Sequence, residues 1–313
     1  MAKSVSTHLL NAVRGGLIGT AEVVPGVSGG TVALVVGIYD DLIISAGHLV
    51  SGVRMAATDL PRKRGNARAA AEFGKVRWAL VLAVLAGMAI AVLTAARLVS
   101  PLVKEHPEPS YAVFFGLVLA SLWVPFRGSG RRWTPVNYLL ALVVAAAAFV
   151  VTGLPAAEVD PNPVLVAFAA ALAVCALVLP GVSGSFLLLT FGLYTVTMDA
   201  LNERDLGYIG TFALGAIFGL AFFVKLLQWL LEHHHHTTLV VMTGLLAGSL
   251  RALWPWQDEG RNLQAPAGNA PMIFGLMALG FVVVVVAILI ERRAHARRVA
   301  EADDNETTAV IKL

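Results

Sequence analysis

"EVVPGVSGGTVALVVGIY", residues 22–39, and "LVLPGVSGSFLLLTFGLY", residues 177–194, are two versions of one phrase in a single chain. From Pro25 to Tyr39, eight of fifteen positions repeat: the five of PGVSG, then Leu34/Leu189, Gly37/Gly192 and Tyr39/Tyr194. Each copy interrupts an apolar run with Pro-Gly, then hydroxyls and glycine. Proline lacks an N–H and biases its predecessor toward extended geometry. Glycine reaches conformations closed to other residues. A half-helix therefore ends at Pro25–Gly26 and again at Pro180–Gly181. A second half-helix begins beyond each break, with Ser28 and Ser183 placed to cap it. Its first N–H groups lack intrahelical partners, and the helix dipole makes that end positive. Gly29, Gly30 and Gly184 let a ligand approach the backbone, and Thr31 and Ser185 add hydroxyl donors. The arrangement binds anions and suits phosphate. A turn kept only for close helix packing would account for a single copy. Two copies favour a ligand site.

The surrounding composition places these phrases in a membrane. The 313 residues are 58% hydrophobic and 14% charged, with a mean hydropathy of +0.76. Soluble domains carry about 25% charged residues, and a soluble fold could not hide this much apolar surface. The single cysteine, Cys175, lies in an apolar run and reads as a packing residue, with no disulfide framework and no CxxC metal pattern. The glycine-broken N-terminal run between Lys3 and Arg14 does not read as a cleaved signal peptide. No cofactor, metal or nucleic-acid partner is expected.

Six stretches read as spanning helices: about 78–99, 110–126, 135–153, 208–231, 238–254 and 272–290. The run 110–126 is short, and Pro125 fits its terminus. The PGVSG segments differ from these. Ser28–Tyr39 covers only about half of a ~30 Å hydrocarbon core at about 1.5 Å per residue. Asp40 and Asp41 follow at once, and charge at the bilayer centre is costly. Each PGVSG segment, about 8–50 and 163–199, therefore reads as a re-entrant hairpin; two full spans with the break at the far surface is the alternative. Basic residues cluster in the loops 52–77 and 127–134 and after residue 291, while the other four loops carry few. Threading six spans puts all three basic regions, and both termini, in the cytoplasm.

Three crossings then separate the hairpins, so the copies are inverted. "FFGLVLASL" (114–122) continues the likeness to "MTGLLAGSL" (242–250), and Arg97 falls opposite Lys225. The expected fold is an all-α polytopic membrane protein built as an inverted repeat, each half one re-entrant helical hairpin plus three transmembrane helices. Repeat one takes residues 1–153, repeat two 154–291, and a cytoplasmic tail 292–313. Inverted repeats meeting at the midplane are a transporter architecture.

Other polar residues carry two readings each. Glu22 precedes the first break where repeat two has Leu177. It either carries a coupling proton or satisfies free loop N–H groups. Arg251, in "SLRALWP", snorkels by default, yet a guanidinium can grip phosphate bidentately. His233–His236 read as an interfacial loop, because consecutive side chains converge poorly on one metal. Asp40 and Asp41 read as solvated. The basic loop 52–77 sets topology and contacts anionic lipid.

"AEVVPGVSGGTVALVVGIYDDLI", "LPGVSGSFLLLTFGLY" and "GSLRALWPW" together resemble the bacterial polyprenyl-phosphate transporter family of PopT type, long filed as a domain of unknown function. The resemblance covers nearly the whole chain. It implies a non-enzymatic protein of the bacterial cytoplasmic membrane. Such a protein returns undecaprenyl phosphate, or a related carrier lipid, from the outer to the inner leaflet. That recycling supports cell-wall synthesis and tolerance of drugs that trap the lipid outside. The motif residues map onto Glu22, Pro25, Gly26, Ser28, Gly29, Gly30 and Thr31, then Pro180, Gly181, Ser183, Gly184 and Ser185, with Ser249 and Arg251 carried over as well. Expected partners are the polyprenyl-phosphate lipid, membrane lipids and a coupling proton or sodium ion. Loosely packed spans such as "ALGAIFGLAFF" (213–223) would give the lipid tail a lateral path. Two other readings use the same physics. An integral-membrane undecaprenyl-pyrophosphate phosphatase also has paired Pro-Gly-x-Ser loops, but Gly29 and Gly184 stand where its arginine is expected. A secondary transporter of a small soluble anion is the other.

Overall fold

The structure is a computed structural model that describes residues 2–22, 28–59, 61–62, 65–154, 160–181, 183–258 and 260–311. The apolar runs fold as helices, and the chain's polar residues mark where they start. Asn162 accepts from the Leu165 amide at 2.9 Å. Asp205 accepts from Gly207 at 2.9 Å and Tyr208 at 3.1 Å. Thr134 and Asn137 form a reciprocal capping box. In chain order the helices are α1 (Ala2–Glu22), α2 (Gly29–Val35), α3 (Tyr39–Asp59), α4 (Ala67–Lys75), α5 (Trp78–Glu105), α6 (Pro107–Ser121) and α7 (Trp123–Gly128). Then come α8 (Pro135–Val151), α9 (Pro163–Val178), α10 (Gly184–Thr190), α11 (Tyr194–Glu203), α12 (Leu206–His233), α13 (His235–Ser249) and α14 (Ala270–Ile311). Among the described residues there is no strand, only one bridge between Gln257 and Leu263.

Helices stand in all six stretches expected to span. Three are long and apolar enough to cross a membrane on their own: Pro107–Gly128, Leu206–His233 and Ala270–Ile290. Counting two bent pairs as spans raises the number to five. The pairs are α2 with α3, bent by 119°, and α4 with α5, bent by 65°. Helix α8 has 17 residues, about 25 Å of helix against a ~30 Å core. Helix α13 has 15 residues and tightens into a 3-10 turn over Leu250–Leu253. Pro125 does not end its helix as expected. It sits three residues into α7, where a backbone N–H would have no helical acceptor anyway.

Small residues set how the helices pair. Gly15 lies against Val84 and Gly19 against Met88, so α1 and α5 run side by side in one direction. Gly215 on Ala167 and Gly219 on Ala171 pair α12 with α9 in the same way. Gly244 and Gly248 seat α13 on α8, while Gly116 and Gly280 join α6 to α14. A Cβ at any of these glycines would sit within 3 Å of the neighbouring helix. Within 213–223, expected to be loosely packed, the face of Gly215 and Gly219 is closely packed on α9, while Leu220 lines a cavity.

The largest buried cluster combines both halves of the chain: Ile18, Leu34 and Tyr39 with Leu227, Met242 and Leu246. Outward, Leu93, Val136 and Phe218 are each 71% exposed. Apolar surface on that scale on several helices needs lipid around it. The chain is an all-helical membrane protein.

Candidate functional site

The two PGVSG segments, 155 residues apart in sequence, lie against each other. The Ser28 hydroxyl donates to the Leu179 carbonyl at 3.0 Å. The Gly181 amide donates to Thr31 Oγ1 at 2.9 Å. The Tyr39 hydroxyl donates to the Val178 carbonyl at 3.1 Å. Gly30 completes the contact, since a Cβ there would come within 2.6 Å of the Val178 carbonyl oxygen. Ser28 and Thr31 are 2% and 4% exposed, so these bonds are made out of water, where a missing partner is costly.

Ser28 and Ser183 occupy the cap positions in extended geometry, but neither side chain makes a capping bond. Ser28 reaches across to the other loop instead. Ser183 pairs its hydroxyl with Ser185 at 3.0 Å, and Ser185 is exposed. The first amide of α2 has a different acceptor: Gly29 donates to Glu22 Oε1 at 2.9 Å. Glu22 thus sits where the sequence places an incoming anion. The space a side chain at Gly29 would need is filled by that carboxylate. The space at Gly184 is filled by the Ala173 carbonyl. Pro25 and Gly26 lie outside the described residues. Pro180 and Gly181 are buried, Gly181 with φ of +85° and its α-carbon against Leu246 of α13.

Both half-helices end alike. Gly37 and Gly192 have φ of +70° and +68°. In each copy the glycine and its successor donate back into the last turn: Ile38 to Ala33 and Gly37 to Leu34, Leu193 to Leu188 and Gly192 to Leu189. This double bond is the Schellman closure, and only glycine takes the left-handed position without cost. The second likeness also has a structural counterpart. Ser121 donates to the Val118 carbonyl at 2.7 Å and Ser249 to that of Leu246 at 2.9 Å, each just before its helix changes course.

Arg251 stands at the C-terminal end of α8. Its Nη1 donates to the Phe149 carbonyl at 3.2 Å and its Nη2 to that of Arg261 at 3.5 Å. The guanidinium lies over the Phe149 ring at 4.7 Å and against Gly153. Its Nε is buried without a hydrogen-bond partner among the described residues. A polar cavity of about 290 Å³ opens close by, lined by Tyr111, Thr152, Leu189, Gln257 and Arg261. The structure thus brings Ser28, Gly29, Gly30, Thr31, Glu22, Pro180 and Gly181 together, and places Arg251, from the 3-10 turn after α13, against the C-terminal end of α8.

The histidine run disperses. His233 bonds the Trp229 carbonyl at 3.0 Å, and His236 approaches the Ser129 carbonyl at 3.1 Å and Asn137 at 3.3 Å. His235 faces Asp40 at 3.9 Å. No cluster of three metal-ligating side chains occurs among the described residues. Asp41 pairs with Arg77. Sequence reasoning missed the cross-loop roles of Thr31 and Tyr39. The Tyr39/Tyr194 identity was visible, but the partner of its hydroxyl is a backbone carbonyl that leaves no residue signal.

Beside the loops lies a second cavity of about 330 Å³ with almost wholly apolar walls, contributed by α1, α2, α3, α5, α9 and α12. Glu22, Gly29 and Gly30 reach its loop end.

Comparison with known proteins finds relatives over most of the chain. A polyprenyl-phosphate transporter of Vibrio cholerae is 34% identical over 259 residues, 82% of this chain and 81% of the relative. One of Staphylococcus aureus is 28% identical over 266 residues, 79% and 86% of the two chains. No solved structure matches. Residues 18–270 match the family described as undecaprenyl phosphate translocase-like, and the chain belongs to that family.

Proposed function

We propose that this protein carries a polyprenyl phosphate, such as undecaprenyl phosphate, from the outer to the inner leaflet of the bacterial cytoplasmic membrane. The observation that carries the reading is the direct hydrogen bonding of the two PGVSG loops to each other. Two equivalent breaks, one from each half, form one seam. The family and the names of the relatives agree with a polyprenyl-phosphate substrate. The two halves, 1–153 and 154–291, are inverted repeats, each opening with a re-entrant hairpin. In support, α2 and α10 have seven residues each, about 10 Å of helix, far short of a bilayer. The pairing of helices also fits a two-fold relation. Helix α1 with α5 has its counterpart in α9 with α12, and α6 with α14 in α13 with α8.

The phosphate engages Ser183, Gly184 and Ser185 at the seam. Ser28, Gly29, Gly30 and Thr31 hold the opposing wall, and Pro180 and Gly181 shape the turn. Arg251, with an unpartnered Nε at the outer end of α8, receives the headgroup first. Glu22 exchanges a coupling proton as the site alternates between leaflets. Both termini are cytoplasmic, in keeping with the basic loops. The protein moves the lipid without hydrolysing it.

The test is headgroup exchange in sealed proteoliposomes containing undecaprenyl phosphate, with released phosphate assayed in the same samples. Wild type exchanges the lipid without phosphate release, and Ser183→Ala/Ser185→Ala slows exchange by at least about tenfold. Absence of exchange under imposed proton and sodium gradients rejects the lipid and turns attention to soluble anions. Phosphate release would instead mark a phosphatase.

A further inference from the structure

A headgroup site leaves the isoprenoid chain without a place, and the cavity beside the loops has the matching chemistry. We infer that this chamber holds the first isoprene units of the carried lipid, which reach it sideways from the bilayer between α5 and α12. The inference rests on the transporter reading above. Its walls are Ala46 and Leu49 from α3, Val81 and Leu85 from α5, and Leu220 and Val224 from α12. Its volume of about 330 Å³ falls within the roughly 300–1,000 Å³ of small-ligand pockets.

Three observations choose the occupant. First, no cation lines the chamber. The one carboxylate, Glu22, already accepts from the Gly29 amide, and the one lining serine, Ser45, accepts from the Arg77 amide at 3.4 Å. A phosphate inside would have no counter-charge, whereas a hydrocarbon needs none. Second, α5 and α12 both line the chamber, yet among the described residues no Cα of one comes within 8 Å of a Cα of the other. Leu85 and Leu220, one on each helix, are 54% and 37% exposed. The apolar wall therefore continues onto the lipid-facing surface through a gap between two helices. Third, the inner end of the chamber is the seam itself, where Gly30 and Val178 are shared between chamber wall and loop contact. A molecule with a charged head and an apolar chain meets both environments in sequence. Leu220 and Val224 are four residues apart on α12, on a different face from Gly215 and Gly219. That spacing explains how one helix packs closely on α9 and still leaves a gap elsewhere.

The experiment uses the full chain in proteoliposomes and an undecaprenyl phosphate analogue carrying a diazirine in its second isoprene unit. Adducts are mapped by peptide mass spectrometry. Adducts are expected on Leu49, Val81, Leu85, Leu220 or Val224. They fall by about tenfold with excess unlabelled undecaprenyl phosphate, but not with phosphatidylglycerol or inorganic phosphate. Ala46→Trp, which fills the chamber, removes the adducts and slows exchange. Should that variant not fold, Leu85→Trp at the lipid-facing lip gives the same reading. Exchange that proceeds with adducts only outside these helices overturns the chamber and leaves the transporter reading standing. Equal competition by phosphatidylglycerol overturns it too, by showing a bulk-lipid groove. A wild type that exchanges no lipid removes the transporter reading and this inference with it.

Discussion

The two PGVSG loops share eight of fifteen residues, yet they bond differently. In the first, Glu22 already occupies the amide of Gly29, and Ser28 and Thr31 spend their side-chain oxygens on the second loop. In the second, Leu177 stands at the position of Glu22 and Ser185 at that of Gly30, and the Ser183–Ser185 hydroxyl pair is turned toward exposed space. One loop is a brace with its own built-in carboxyl group, and the other presents hydroxyls. The duplicated motif gives Ser28 and Ser183, and Gly37 and Gly192, the same backbone geometry, while positions that differ give the copies different hydrogen bonds.

That division can be attacked directly. The largest effect is expected where the brace touches its partner. Gly30→Ala drives a Cβ to within 2.6 Å of the Val178 carbonyl. The cost is about 3 kcal/mol, seen as a lower unfolding temperature in detergent. Ser185→Gly, at the matching position, leaves stability nearly unchanged and slows lipid exchange. If both variants behaved alike, the two loops would not differ in role. Next, Thr31→Val strips the buried Gly181 amide of its acceptor at a cost of about 2 kcal/mol. Ser28→Ala removes a donor from a carbonyl and costs about 1 kcal/mol. A double-mutant cycle of Thr31→Val with Leu246→Ala, the α13 residue that packs on Gly181, would expose their coupling.

Glu22→Gln should cost less than about 1 kcal/mol, because the amide oxygen still accepts from Gly29. The variant should nevertheless lose the response of exchange to an imposed proton gradient. A coupled response that survives would assign Glu22 to the brace alone.

The smallest effect concerns an element with no counterpart helix in the loop between α11 and α12, the amphipathic α4. Phe73 of α4 packs on Gly52 of α3, and Glu72 bonds Lys75 at 2.6 Å and His48 at 2.8 Å. Those hydrogen bonds hold the Glu72 carboxyl down at about 2. A depressed carboxylate stabilises the fold above its ordinary range near 4.5 and loses that contribution as pH falls toward about 2. Protection of the α3–α4 segment from proteolysis should therefore weaken over that window in wild type. In Glu72→Gln it should be weaker throughout and flat with pH.

Much of this was legible before any coordinates. The Gly37/Gly192 identity had a backbone reason, the left-handed closure of each half-helix. The Ser121/Ser249 match marked the points where two helices change course. The reach of spanning helices was less legible. Hydropathy reports where a helix is apolar, and α8 and α13 are apolar but short.

By itself the sequence determined that the chain is helical, lipid-embedded and internally repeated, because apolar run length, glycine and proline act locally. It also marked the residues at which the repeats break. Only the tertiary structure decided what those residues touch. Ser28 bonds a carbonyl 151 positions away instead of capping its own helix. The glycines offered to a ligand are filled by Glu22, Val178 and Ala173. Helices α5 and α12, apart by more than 8 Å between Cα atoms among the described residues, line one apolar cavity. The physical reason is that hydrogen bonds to backbone carbonyls, close approaches and voids depend on distance in space, and none of them has a residue code.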